Sequence, residues 1–239
     1  FPTGKELIPN QAGLDFYSRL VDALLEANIE PWVTLYHWDM PQALQDDGGW
    51  EDRRIIDSFL RFTEAMSKTL GDRVEHWITH NEPWVVSHLG YCTGEHAPGI
   101  KSWPSSIRAA HHVMLSHGKA VPIIREHVPG AKVGITLNLC PSEPASDSEY
   151  DRDAERHFDG FFNRWYLDPV FGRGYPKDML EDYDELNRLP PESDWIRDGD
   201  LETMGVETDF LGVNYYSRAV IRSDKVAEED NALRTVFDD

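Results

Sequence analysis

The stretch Val74-Glu75-His76-Trp77-Ile78-Thr79-His80-Asn81-Glu82-Pro83-Trp84 opens by alternating Val74, His76 and Ile78 with Glu75, Trp77 and Thr79. Period two is the pattern of a β-strand, because successive side chains leave opposite faces of the sheet. Pro83 stops the pattern, since proline has no N–H to give a ladder. Asn81 and Glu82 therefore fall at the carboxyl end of a strand, where ligands and catalytic groups collect in parallel α/β architectures. Taken alone, Asn-Glu-Pro reads equally well as a loop cap, so the surrounding chain has to decide.

Upstream, after a Pro/Gly-bearing loop over 1–9, Asn10 offers an N-cap. Leu14, Tyr17, Leu20, Val21, Leu24 and Leu25 then recur at helical spacing through Ala27, and Asn28 closes the helix. Trp32-Val33-Thr34-Leu35-Tyr36 is β-branched and aromatic and reads as a buried strand ending in the polar run His37-Trp38-Asp39-Met40-Pro41-Gln42. Asp46-Asp47-Gly48-Gly49 is turn chemistry. From Asp52 to Leu70, Ile55, Ile56, Phe59, Leu60, Thr63, Met66 and Leu70 make one apolar face, with Gly71 as its C-terminal stop.

Downstream of Trp84 a loop from Leu89 to Gly99 is too rich in Gly and Pro for a regular element. Ser105 or Ser106 caps a further helix that Pro122 kinks or restarts. Lys132 to Leu139 is a third strand with Asn138 near its end, and Ser148 to Trp165 a charged helix with Asp151–Arg156 on a solvated face. Leu167-Asp168-Pro169 and Gly172–Pro176 read as loops, and Tyr183 to Asp200 as polar and unstructured. Asp209 to Tyr216 is a fourth strand. Helices thus alternate with strands, and each strand ends in a different polar cluster, as in a (β/α) barrel. The expected class is α/β, of the (β/α)8 TIM-barrel type. Only four parallel strands with crossover helices are recognisable where a full barrel needs roughly 250 residues. The chain reads as half a barrel over 1–222, followed by an acidic, mobile tail or the start of the next crossover loop over 223–239.

The net charge of −20 over 239 residues repels nucleic acid and anionic membranes, so neither is an expected partner. Neutral ligands such as sugars remain. Eight Trp and nine Tyr suit sugar stacking but fill cores more often. Cys92 and Cys140 read as buried free thiols, and no leader or membrane span is visible, which gives a cytoplasmic expectation. The chain opens at Phe1 without an initiator Met, as a trimmed or partial chain would. His111, His112 and His117 sit at helical spacing with no Cys or carboxylate in register. They read as surface or packing residues, with no metal and no cofactor called for.

With His37–Gln42, Asn81-Glu82-Pro83-Trp84, Gly94-Glu95-His96-Ala97-Pro98-Gly99 and Gly212-Val213-Asn214-Tyr215-Tyr216 in hand, the chain resembles the family-one retaining β-glycosidases, and among them the bacterial β-glucosidases. The four motifs lie in order and in register from Phe1 to about Arg218. The resemblance implies that Glu82 is the general acid/base and that His37 and Trp38 hold hydroxyls of the non-reducing sugar. It places Asn81 on the 2-OH, Tyr216 on the ring oxygen or nucleophile, and Trp84 on the leaving-group side. Asn214 and Asn138 match further family asparagines. The implied substrates are β-glucosides or short cello-oligosaccharides.

Departures from the family pattern carry as much weight. The family's nucleophile is a Glu in a Thr-Glu-Asn-Gly-like motif, and no such motif occurs here. The family's first two strands and its eighth are unmatched as well. The expected chain runs from the second helix to the sixth strand and is catalytically incomplete, because retention needs two carboxyl groups about 5–5.5 Å apart. Two open sheet edges would then invite a complementary half-barrel chain or self-association. The alternative to an enzyme piece is a self-associating half-barrel scaffold or weak sugar binder.

Overall fold

In a computed structural model that describes residue 4, residues 8–191 and 195–226, and the backbone of 235–237, the four expected strands form one parallel sheet. They are β1 (Trp32–Tyr36), β2 (His76–Asn81), β3 (Lys132–Asn138) and β5 (Phe210–Asn214), in the order β1-β2-β3-β5. Crossovers run through α1 (Gln11–Glu26) ahead of β1, α3 (Ile55–Leu70) between β1 and β2, and α4 (Trp103–His127) between β2 and β3. Among the described residues, the outer edges of β1 and β5 have no ladder partner in this sheet.

The alternation in β2 sorts differently from its hydropathy. Trp77 and Thr79 are fully buried, whereas His76 and Ile78 are only half-buried. Thr79 hydrogen-bonds His117 on α4 at 2.8 Å, so this face lies against the helix layer, with Val133, Ile135 and Leu137 of β3 also sealed in the core. Trp32 and Val213 on the edge strands are 49% and 52% exposed. A parallel sheet is covered on both faces in a finished α/β protein; here one face is sealed and the other partly open.

Several local expectations are corrected. Asn28 does close α1, with φ 57°, and the N–H of Ile29 reaches back to Leu24. Gly71 ends α3 without a left-handed turn. Its missing side chain matters because a Cβ there would lie 2.3 Å from Val128 and 2.4 Å from the carbonyl of Ser67. The cap of α4 is Ser102, followed by Trp103-Pro104, and the helix continues past Pro122 without a new start. Ser105 and Ser106 lie inside it. Proline at the first turn costs nothing because that N–H is unpaired anyway, and a buried, well-packed helix absorbs the one lost bond at Pro122.

The charged helix is α5 (Glu149–Asp159), which passes through a π-turn at Gly160–Arg164 into α6 (Trp165–Val170), so Leu167-Asp168-Pro169 is helical. Its solvated face is interrupted: Asp151 is fully buried and accepts hydrogen bonds from the Ser223 N–H and the Ser146 hydroxyl. Two short helices, α7 (Lys177–Glu185) and α8 (Asp200–Met204), start or end in the stretch read as unstructured, because Tyr183, Met179, Met204 and Asp200 are buried there. A short α2 (Gln42–Asp46) follows the polar run after β1.

A second, unexpected parallel sheet joins β4 (Ser142–Pro144), β6 (Ala219–Ser223) and β7 (Thr235–Phe237), so pairing continues past residue 222. Residues 227–234 and 238–239 of the expected mobile tail, and most of the 1–9 loop, lie outside the described residues. Cys92 and Cys140 are free but only half-buried, not enclosed as expected.

Candidate active site

Glu82 sits one residue past the end of β2. The β2–β3 register shifts between Ile78 and Asn81, which marks a bulge. A bulge puts successive side chains on one side and re-aims those that follow. Accordingly Thr79 and His80 both point into the helix layer, each hydrogen-bonded to α4 (His117 and Ser116, 2.8 Å each). Pro83 then starts a helical turn that becomes a π-turn over Val85–Leu89. Glu82 is left between a bulged strand and a helix start with φ 50°, in the left-handed region that a Glu seldom occupies. Its N–H donates to the Thr136 carbonyl of β3 at 2.8 Å.

The Glu82 side chain is 4% exposed. Its Oε1 accepts from Asn214 Nδ2 at 2.6 Å and from the Tyr216 hydroxyl at 3.2 Å. The same Asn214 amide donates to Asn81 Oδ1 at 3.1 Å, and Asn81 Nδ2 faces His37 Nε2 at 3.5 Å. The Glu82 carboxylate, by its charge first and by the bond it accepts second, holds the Tyr216 phenol above its usual range. Loop ends of β1, β2 and β5 thus converge on one carboxyl group. No second carboxylate belongs to this hydrogen-bonded cluster among the described residues.

The structure brings together Glu82, Asn81, Asn214, Tyr216 and His37, with Trp38 on the backbone: its indole N–H donates to the Asn81 carbonyl at 3.0 Å. Asn138 is the register partner of Asn214 and is buried, but no hydrogen bond joins its side chain to the cluster. Trp84 packs among His88 (5.0 Å), Phe162 (4.4 Å) and Phe161 (5.8 Å). Its indole N–H is buried with no partner.

Sequence reading missed Thr136, which acts through its backbone carbonyl and leaves no side-chain signature. His111, His112 and His117 of α4 are packing residues and none of the three is at the surface. Burial keeps His112 and His117 down at about 4, and lowers His111 despite the bonds and charge of Asp200. His111 Nε2 donates to Asp200 at 2.9 Å, leaving Nδ1 to accept from the Tyr175 hydroxyl at 3.1 Å, and His112 Nδ1 donates to the Trp50 carbonyl at 2.7 Å.

The family model for glycosyl hydrolase family 1 matches residues 1–236. The chain belongs to glycosyl hydrolase family 1. β-Glucosidase A of Acetivibrio thermocellus is 45% identical over 230 residues, covering 95% of this chain and 50% of the relative. A crystal structure of a β-glucosidase from Exiguobacterium marinum superposes with a TM-score of 0.87 at 43% identity, covering 92% of this chain and 49% of that one. A β-glucosidase from Thermotoga maritima in complex with glucoimidazole gives 0.85 at 41% identity, over 92% and 48%. The family 1 chain described here therefore spans about half the length of the curated relatives it matches. Those structures are (β/α)8 barrels, and its four parallel strands with their helices correspond to about half of one. Among the described residues, no helix is long and apolar enough to cross a membrane.

Proposed function

We propose that this chain carries the acid/base half of a retaining β-glucosidase site acting on β-glucosides or cello-oligosaccharides, with Glu82 as the general acid/base. The observation that carries the reading is the asymmetry of the Glu82 carboxyl group. Asn214 and Tyr216 both donate to Oε1, while Oε2 has no hydrogen-bond partner among the described residues. A carboxyl group anchored by one oxygen presents the other for proton transfer. The relative bound to glucoimidazole supports a sugar-sized ligand in this fold.

In the first step a carboxylate nucleophile forms a bond to the anomeric carbon as the glycosidic C–O bond breaks, and Glu82 Oε2 hands its proton to the departing oxygen. In the second, Glu82 takes a proton from water as that water's oxygen displaces the nucleophile. Asn81, hydrogen-bonded to the amide that holds Glu82, meets the 2-OH in this reading, where bonds tighten as positive charge grows on the anomeric carbon. His37 and Trp38 border the same rim, and Trp84 the leaving-group side. The sequence contains no Thr-Glu-Asn-Gly stretch, so the nucleophile belongs to strands outside these 239 residues, and the isolated chain is inactive.

A mechanism-based 2-fluoroglucoside tests this in the barrel completed on one polypeptide. Mass analysis should place the adduct outside residues 1–239; an adduct on any Glu within them overturns the assignment. A second reading rests on the partnerless edges of β1 and β5 and the half-exposed Trp32 and Val213. Two copies could close eight strands as a scaffold without hydrolytic activity. Sedimentation of the isolated chain decides: a dimer supports that reading and a monomer refutes it.

A further inference from the structure

We infer that Trp38 is a positioning residue for Glu82, holding the peptide between Asn81 and Glu82, and does not use its indole N–H on a sugar hydroxyl. The inference rests on the acid/base reading of Glu82 and goes beyond it.

An indole has a single donor. That of Trp38 is committed to the Asn81 carbonyl at 3.0 Å. The ladder between β1 and β2 ends at Tyr36↔His80, one residue short of Asn81. The indole thus supplies, from beyond the end of β1, a donor for a carbonyl that β1 does not reach in register. Asn81 is 8% exposed, so an unpaired carbonyl there would be costly.

The geometry of the peptide unit turns this bond into a constraint on Glu82. The Asn81 C=O and the Glu82 N–H belong to one planar group and point in opposite directions. Trp38 holds the first from the β1 side, and the Thr136 carbonyl of β3 holds the second at 2.8 Å. The plane is therefore pinned at both ends, directly ahead of a Glu with φ 50°. A non-glycine residue in that region persists only where its surroundings over-determine it. Trp38 itself has φ 76°, the rare conformation that swings its ring back over the end of β2. His37 and His96 flank that ring at 4.7 and 5.5 Å. Two residues at positive φ, linked through the bond from the Trp38 indole to the Asn81 carbonyl, thus aim the carboxyl group.

Trp38→Phe keeps a ring and removes the donor. In the completed barrel, cellobiose needs its leaving group protonated, whereas a dinitrophenyl β-glucoside does not. The expected result is a kcat/KM for cellobiose lowered about 10- to 100-fold, the scale of a modest misplacement of a catalytic group. The kcat/KM of the dinitrophenyl substrate, which reports only formation of the glycosyl-enzyme, should be nearly unaffected, while its kcat falls because Glu82 is also the base of the second step. An equal loss of kcat/KM on the two substrates, which share the glucosyl group, would show that the indole binds sugar or is merely structural; either overturns the inference. Glu82→Gln is the control. If it spares cellobiose turnover, the acid/base reading itself fails; if it shows the leaving-group split and Trp38→Phe does not, only the positioning role fails. Should Trp38→Phe not fold, hydrogen exchange on the unmodified chain decides: the Trp38 indole proton should exchange well below the rate of a free indole, and free exchange overturns the inference.

Discussion

Acidification should unfold this protein through the buried His112 and His117 of α4, and the share of each can be isolated. His112 is 4% exposed and His117 fully buried, and burial holds both at about 4, against an ordinary 6.5. A folded value below the unfolded one means that the unfolded chain binds more protons between them. The stability is therefore fully present above pH 6.5 and is lost as pH falls from 6.5 toward 4. Each pH unit in that window costs about 1.4 kcal/mol per histidine, so at pH 5 each has removed about 2 kcal/mol relative to pH 8. Against a total of roughly 5–15 kcal/mol, two such groups matter. The assay is urea unfolding at pH 8 and pH 5 for the unmodified chain and for His117→Gln, comparing the change between the two pH values. That difference is insensitive to any uniform loss of stability caused by the substitution. It should shrink by about 2 kcal/mol in His117→Gln. An unchanged pH dependence would refute the reasoning, showing either that His117 is protonated in the fold or that water reaches it.

Asp200 is buried, which by itself would raise its carboxyl group, but Arg53, the Arg197 N–H and His111 outweigh that and hold it at about 2. Asp200→Asn should cost about 3 kcal/mol in thermal or urea unfolding, because it leaves Arg53 half-buried without its counter-charge. Glu82→Gln should return the Tyr216 phenol toward its ordinary range, read by ultraviolet titration of the tyrosines; an unmoved late-titrating phenol would mean that Glu82 and Tyr216 do not meet.

The parallel half-barrel was legible because each strand carries its own signal. Trp32–Tyr36 and Lys132–Asn138 are β-branched and apolar, and the polar residues cluster at strand ends in four registers. The bulge ahead of Glu82 was not, since a bulge depends on where β3 offers carbonyls and leaves no residue type behind. Nor was the inversion of β2, where Trp77 faces the helices: hydropathy cannot tell a helix-facing from a lumen-facing position when both are apolar. The β4-β6-β7 sheet is built from short strands that alternation cannot register. His111 could be read no further than surface or packing, because its partner Asp200 lies 89 residues away. Of the candidate site, the hydrogen-bonded side chains of Glu82, Asn81, Asn214, Tyr216 and His37 carry a signature in the sequence, while the backbone groups bonded beside them, the Thr136 carbonyl and the peptide at Asn81, carry none.

Azide trapping decides whether Glu82 is both proton donor and base. In the completed barrel, Glu82→Ala should lose cellobiose turnover by about 10²–10⁴-fold while still forming its glycosyl-enzyme from a dinitrophenyl β-glucoside. Added azide should then intercept that species without needing a base and release the β-glucosyl azide. Release of the α-glucosyl azide would make Glu82 the nucleophile, and unchanged cellobiose turnover would remove it from the chemistry altogether.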